Sequence, residues 1–246
     1  RVEADPVRER SSVAELADLP PLRDPVMVAA FEGWNDAGEA ASGAIAHLAR
    51  LWQAEEIAAL DPEDYHDFQV NRPQVHLVGD TRRITWPTTR ILLARPRPGA
   101  HDIVIIEGIE PSTRWRSYTA ELLDVAQRLG VHRLVTLGAL LANVPHTRPV
   151  PVTTTSDDPA ACALFGAEPS RYEGPTGIVG VLSAAVAEAG IQTVSCWAAV
   201  PHYAGGPPSP KATLALLGRL EILLGVPVAA DELLPEAADW ERTVDE

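Results

Sequence analysis

The residues best placed to do chemistry in this sequence are polar side chains that directly follow predicted β-strands. Carboxylates and imidazoles at such positions are common proton carriers in enzymes. In open α/β sheets, ligands bind beyond the carboxyl ends of the strands. We therefore predict one candidate cleft, with Lys211 and Arg148 available to hold an anion. Its other members are Glu32, Trp34, Asn35 and Asp36 after one strand, Glu107 and Glu110 after a second, Asn143 and His146 after a third, and His202 and Tyr203 after a fourth.

Each of these residues also has a structural explanation, because polar residues after strands are usual in loops. For any single residue we favour the structural interpretation, so we assign no catalytic residue and treat only their clustering as a candidate site. The structural roles are Asp36 as a helix cap with Glu39 three residues later, Trp34 as a packed anchor, His146 as a solvent-facing side chain, and His202 bonded to Tyr203 across a turn.

Composition excludes several classes of function. The chain has 20 Lys and Arg against 34 Asp and Glu, a net charge of −14. Nucleic-acid binding requires a concentrated basic surface, so nucleic acid is excluded as a partner. Cys162 and Cys196 lack CxxC spacing, so we predict no disulfide framework, no metal site and a cytoplasmic location. No apolar run reaches the length of a membrane span, and we predict neither membrane insertion nor a bound cofactor.

The order of apolar runs predicts the fold class. Runs rich in Val and Ile alternate with helical patterns, which is typical of a mainly parallel sheet with helices on both faces. Residues 74–78 and 82–86 alternate around Gly79-Asp80 and predict an inserted β-hairpin. We divide the chain into an N-terminal arm (1–24), a single α/β domain (25–225) and an acidic C-terminal tail (226–246).

Sequence motifs of familiar enzymes are missing from the chain: it contains no GxSxG, GxxxxGK[ST], GxGxxG or HExxH. The segment 174–180, GPTGIVG, leads into a predicted helix whose N-terminus could hold an anion. We favour the alternative, in which Thr176 caps the helix and the glycines permit close packing. The acidic run 61–67 has no recognised ligand spacing and is interpreted as a solvated loop.

Several separated motifs, over about residues 25–225, resemble the proteasome assembly chaperone 2 family, particularly its actinobacterial branch. Their order along the chain makes the resemblance more specific than any one motif. The motifs are GWNDAG (33–38), NRP (71–73), WP (86–87), EGPTG (173–177), VPHY (200–203) and PSPKA (208–212).

The resemblance implies a three-layer α/β/α sandwich, similar in layout to nucleoside phosphorylases, that forms homo-oligomers and, as in bacterial relatives, trimers. It also implies proteasome subunits as partners, since eukaryotic members assemble the proteasome α-ring. Our leading hypothesis is a non-enzymatic protein-binding or assembly factor. The alternative is a hydrolase or phosphorylase-like enzyme acting on a small anionic or nucleoside-like substrate, with Glu107 or His202 as the proton carrier.

Overall fold

A seven-stranded mixed sheet forms the centre of the molecule, with strand order β2-β5-β6-β1-β7-β9-β8. The computed structural model describes residues 16, 19–97, 99–204, 206 and 208–245. The four central strands run parallel, and β5, β2 and β8 are antiparallel to their inner neighbours. The strands of this sheet are β1 (Val26–Glu32), β2 (Glu55–Ala59), β5 (Arg90–Ala94), β6 (Ile103–Ile109), β7 (Arg133–Ala142), β8 (Val152–Thr155) and β9 (Gln192–Pro201).

Helices cover both faces of the sheet. One face carries α1 and α6, which contact each other, and the other carries the contacting pair α3 and α5. The described residues also form two short helices and a C-terminal helix. The helices are α1 (Ala40–Leu51), α2 (Pro62–Tyr65), α3 (Trp115–Arg128), α4 (Pro159–Phe165), α5 (Ile178–Glu188), α6 (Pro210–Leu224) and α7 (Leu234–Asp245).

The sequence of the central strands explains why they are buried on both faces. In β1, Val28 packs toward α1 and α6, whereas Met27 and Ala29 pack toward α3 and α5. Both faces are apolar because side chains of a strand alternate between the two sides of a sheet. Small residues of α1, such as Ala41 and Ala44, are fully buried and allow the helix to lie close to the sheet. The predicted three-layer α/β/α sandwich is therefore confirmed.

The predicted hairpin is also present, as a separate two-stranded sheet of β3 (Gln74–Val78) and β4 (Thr81–Thr85). Every residue of β3 is exposed, including Val75 and Leu77. A two-stranded hairpin gains little stability by itself in water. The hairpin thus offers an apolar surface that the rest of the described chain leaves exposed.

The structure gives detail in three places where the sequence left the local structure open. The proline-bearing segment 143–175 contains β8 and α4, which the sequence pattern did not reveal because both elements are short. The acidic tail forms α7, which packs against α6. Most of the predicted arm at residues 1–24 lies outside the described residues, but Leu16 is buried against the α3 and α5 face.

The two cysteines lie in different environments. Cys196 is in β9 within the core, and burial raises the pKa of its thiol to about 11. Cys162 is partly exposed on α4. Among the described residues, none of the helices combines the length and the apolar character needed to cross a membrane.

Candidate functional site at the carboxyl ends of the parallel strands

The carboxyl ends of β6, β1, β7 and β9 lie side by side at one edge of the sheet, because these four strands are parallel neighbours. We call the residues at and just beyond these ends the strand-end rim. Strands β7 and β9 are each ten residues long and extend past β1. The loop after β1 therefore lies against β7, where the amide of Ala139 donates to the carbonyl of Asn35 at 2.8 Å.

Asp36 is buried and its carboxylate caps α1. Its Oδ1 accepts hydrogen bonds from the amides of Ala41 at 2.7 Å and Ser42 at 3.2 Å, and its Oδ2 accepts one from the Ser42 hydroxyl. The helix begins at Ala40, after a 3-10 turn, so Glu39 rather than Asp36 precedes its first residue. Burial raises the pKa of Asp36, and the hydrogen bonds it accepts act in the opposite direction.

The side chain of Glu110 lies at the N-terminus of α5. This is the helix start considered from the sequence as a possible anion site. Glu110 Oε1 accepts a hydrogen bond from the amide of Ile178 at 2.8 Å. Gly177, not Thr176, is the residue before the helix, so the prediction of Thr176 as the cap is wrong. A carboxylate is favoured there by the unpaired amides and by the helix dipole. The protein's own side chain thus takes the position at which an external anion would bind.

Asn35 is the second polar residue at this position. Its side chain is 6% exposed, and its Oδ1 has no hydrogen-bond partner. A Cβ added to Gly177 would lie only 1.9 Å from that oxygen and 2.7 Å from Glu110 Oε1. Position 177 therefore requires glycine because a side chain would not fit there, and not because of its backbone conformation.

An acidic groove runs between α1, the ends of β1 and β6, and the start of α6. It has a volume of about 550 Å³, and its lining includes Glu32, Glu39 and Glu107. Glu107 pairs with Arg90 at 2.6 Å. The pKa of Glu32 is raised, first by partial burial and then by the neighbouring charges of Asp36, Glu107 and Glu39. Crowded carboxylates repel anions, so the groove does not suit an anionic substrate.

His146 joins the strand-end rim to the C-terminal helix. Its side chain is only 12% exposed, so the prediction of a solvent-facing histidine is wrong. The Tyr203 hydroxyl accepts from the His146 amide at 2.9 Å and lies 2.9 Å from Nδ1, to which it can donate its own proton. Nε2 then carries the ring proton toward Asp245 Oδ1, also at 2.9 Å.

Lys211 belongs to the same set of contacts. Its Nζ donates to the carbonyl of His146 and lies 3.2 Å from the carboxylate of Glu241. Its charge is therefore paired with α7, and Lys211 is not among the residues that line the acidic groove. Arg148, the other cation considered from the sequence, is exposed in the loop after β7.

The two proposed proton carriers lie on strands that are not neighbours. Glu107 is in β6 and His202 follows β9, three strand positions away in the order β6-β1-β7-β9. Strands lie about 4.8 Å apart, which places the two residues roughly 14 Å from each other. His202 is exposed and its ring contacts that of Tyr203 edge-on, with centroids 5.4 Å apart. The two side chains do not converge on a single reacting atom.

Apolar side chains are exposed along the strand-end rim, and we call this set the apolar rim. Trp34 is 63% exposed, so it is not the packed anchor that we predicted from the sequence. The strand pattern alone did not reveal the exposure of Leu140 and Leu141, because these residues lie in the part of β7 that extends past β1 and is not covered by it. The apolar rim consists of Trp34, Leu140, Leu141 and Tyr203.

Comparison with known proteins identifies the family. The family model described as PAC2 matches residues 30–246. The chain belongs to the PAC2 family. A search of curated proteins gives no significant match.

Solved structures of PAC2 proteins are closely similar to this chain. A PAC2 family protein from Streptomyces avermitilis is 58% identical, with a TM-score of 0.87 over 90% of this chain and 95% of that one. A proteasome-assembly chaperone homologue from Mycobacterium tuberculosis is 51% identical, with a TM-score of 0.82 over 89% and 94%. PbaB, an archaeal proteasome activator from Pyrococcus furiosus, shares the fold at 19% identity, with a TM-score of 0.73 over 94% and 97%.

Proposed function

We propose that this PAC2 protein is a non-enzymatic protein-binding or assembly factor that acts in the cytoplasm as a homo-oligomer, with proteasome subunits as its partners. The observation that carries the proposal is the apolar rim, where Trp34, Leu141 and Tyr203 are all more than half exposed. Aromatic side chains are enriched among the residues that dominate protein interfaces. Contiguous exposed apolar surface on a folded domain is typical of interaction sites.

The polar residues of the strand-end rim support the non-enzymatic part of the proposal. Asp36 caps α1, Glu110 caps α5, Glu107 pairs with Arg90, and Lys211 holds α7. Each of these groups is satisfied by the protein itself, whereas a catalytic group must be available to a substrate. The hydrolase or phosphorylase alternative has less support, because its proton carriers are far apart and the groove is acidic.

The family comparison supports the choice of partner. A relative at 51% identity is described as a proteasome-assembly chaperone homologue. Proteasome α-subunits are therefore the first proteins to test as ligands of the apolar rim. We further propose that the β3–β4 hairpin mediates self-association, in a trimer, because its apolar residues are exposed in the single chain.

Binding to purified proteasome α-subunits of the same organism tests the proposal. We expect the double variant Trp34→Ala, Leu141→Ser to bind at least tenfold more weakly than the wild type, since truncation of a central aromatic costs about 2 kcal/mol or more. Leu164→Ala is the matched control, because Leu164 is 67% exposed but lies on α4, near the opposite edge of the sheet. Loss of binding in the control would contradict the proposal.

Two further variants separate binding from catalysis. Glu107→Gln and His202→Ala remove the proposed proton carriers and leave the apolar rim unchanged. We expect both to bind α-subunits as the wild type does. Failure of the wild type to bind, or loss of binding in either of these variants, would contradict a protein-binding role for the apolar rim.

A further inference from the structure

Two histidines and an aspartate meet at the amino ends of the central strands, at the edge of the sheet opposite the strand-end rim. Asp24, His101 and His132 each lie one or two residues before a strand, in the loops that enter β1, β6 and β7. Their ligand-type atoms all lie within 4.8 Å of one another. Nδ1 of His101 is 2.9 Å from Asp24 Oδ2, and Nδ1 of His132 is 3.2 Å from Asp24 Oδ1.

Backbone hydrogen bonds hold the three loops in place. The amide of His132 donates to the carbonyl of Pro25 at 3.2 Å, and the amide of Asp102 donates to that of Arg23 at 2.9 Å. The amide of Val26 in turn donates to the carbonyl of Asp102 at 3.0 Å. The three side chains are therefore positioned by rigid strand starts, which is the arrangement that a preformed ligand site requires.

The chemistry of these donors suits a first-row divalent transition metal. Imidazole binds zinc, cobalt and iron, and two histidines with one carboxylate form a facial set that leaves coordination positions open. Donors held about 2.1 Å from a tetrahedral zinc ion are roughly 3.4 Å apart. The observed separations of 2.9 and 3.2 Å require only small movements to reach that value.

His132 shows a second feature of a ligand. Its Nδ1 is buried and makes no hydrogen bond, although Asp24 Oδ1 lies 3.2 Å from it. The Nδ1 atom of His132 therefore has a lone pair or a proton that the protein leaves unsatisfied.

The neighbouring arginine does not take the place of a cation between these groups. Arg133 follows His132 directly, but its Nε donates to Gln192 at 2.6 Å. Its guanidinium lies over the ring of Phe165, 4.7 Å from the ring centroid. Both contacts hold the guanidinium of Arg133 beside α4 and β9.

We propose that Asp24, His101 and His132 form a binding site for a divalent transition metal of the zinc class, with open positions filled by solvent. A metal bound at this site links the loops that precede β1, β6 and β7 and thereby stabilises the fold. His101 Nδ1 also lies 3.0 Å from the carbonyl of Asp24. Metal binding at Nδ1 requires the tautomer that carries the ring proton on Nε2, so any hydrogen bond from Nδ1 to that carbonyl is lost. The site was not predicted from the sequence, because its residues are 31 or more positions apart and match no ligand spacing.

Metal titration of the untagged full-length chain, after dialysis against a chelator, tests this site. We expect the wild type to bind one equivalent of Zn²⁺ by calorimetry and one of Co²⁺ by its visible absorption. His101→Ala and His132→Ala should each weaken binding at least tenfold, as should Asp24→Asn, which preserves the size of the side chain. Thermal unfolding should shift upward by about 5 °C at a Zn²⁺ concentration roughly 100 times the dissociation constant.

His76→Ala is the control, because His76 is exposed on the hairpin. It should bind metal as the wild type does. Three results would overturn the proposal: absence of Zn²⁺ and Co²⁺ binding by the wild type, equal affinity in the double variant His101→Ala, His132→Ala, or a thiolate-to-cobalt absorption band that places the metal at Cys162. In the first case Asp24 serves only as a bridge between the two histidines. Circular dichroism of each variant verifies that it is folded.

Discussion

At the scale of single residues, the strand-end rim shows polar side chains serving the backbone. Glu110 reaches across from β6 to the N-terminus of α5, and Asp36 reaches forward to α1. Both carboxylates satisfy amides that a helix start leaves unpaired. Close packing accompanies this arrangement, because Asn35 and Glu110 fill the space beside Gly177.

Gly177→Ala should destabilise the protein by about 1–3 kcal/mol, since the new methyl group would overlap Asn35 and Glu110. Urea unfolding measures the change. Gly218→Ala is the control, because Gly218 lies in the middle of α6 with open space around it. That substitution should stabilise the protein by about 0.5–1 kcal/mol, as alanine favours helix over glycine. Equal effects of the two substitutions would contradict the conclusion that Gly177 is needed for close packing against Asn35 and Glu110.

Glu32→Gln should make stability less dependent on pH. The pKa of Glu32 is raised in the folded state, so its contribution is fully present below about pH 4.5 and is lost as pH rises through the folded-state pKa. At pH 7 the variant should therefore be more stable than the wild type, by only roughly a few tenths of a kcal/mol, because Glu32 is only partly buried and solvent screens its interactions. Urea midpoints between pH 4 and pH 7.5 should show this advantage disappearing toward low pH. Glu55→Gln, which removes an exposed carboxylate on the edge strand β2, is the control for the loss of one surface charge.

At the scale of secondary-structure elements, α7 is held to the body by the polar residues that the sequence indicated as a cleft. His146 contacts Asp245, and Lys211 contacts Glu241. Trp240 adds a buried ring beside that of His146. These contacts thus join α7 to the strand-end rim.

Lys211→Met should loosen α7 while leaving the sheet intact. The substitution removes the charge that Glu241 and the His146 carbonyl share, and it preserves most of the side-chain volume. Hydrogen exchange of the amides in 234–245 should become roughly tenfold faster, while that of β1 and β7 stays constant. Arg242→Met is the matched control, because Arg242 pairs with Asp239 on the exposed side of the same helix. Similar exchange in both variants would show that Lys211 does not hold α7.

At the scale of the whole molecule, the hairpin differs from the rest of the chain in charge as well as in exposure. The chain carries a net charge of −14. The hairpin and its approach carry Arg72, Arg82 and Arg83 beside exposed Val75 and Leu77. A basic and apolar projection on an acidic body favours contact between copies of the chain.

Leu77→Glu should shift the protein toward the monomer, which has a mass of 26.4 kDa. Leu77 is 72% exposed in the single chain, so the substitution should change the stability of the monomer by less than about 0.5 kcal/mol. Size-exclusion chromatography with light scattering gives the mass directly. Leu164→Glu introduces the same charge on α4 and should leave the mass of the assembly unchanged. A wild type that is monomeric at all concentrations would contradict self-association.

The sheet and its helices could be predicted from the sequence because their signals are local. Apolar runs such as Ile103–Ile106 identify a buried strand, and Gly130 and Gly225 mark the ends of two helices. The cap of α5 could not be predicted, because its carboxylate comes from Glu110, 68 positions earlier in the chain. The exposure of Leu140 and Leu141 depends on how far β7 extends past β1, which is set by register and not by composition.

The contrast between the two cysteines has a practical consequence. A thiolate is the reactive form, and the raised pKa and burial of Cys196 keep its sulfur out of reach of alkylating reagents while the protein is folded. A maleimide dye should therefore couple once per chain, at Cys162 on α4. The natural sequence thus carries a single labelling position near the edge remote from Trp34, from which energy transfer between protomers can report assembly without altering the surfaces under study.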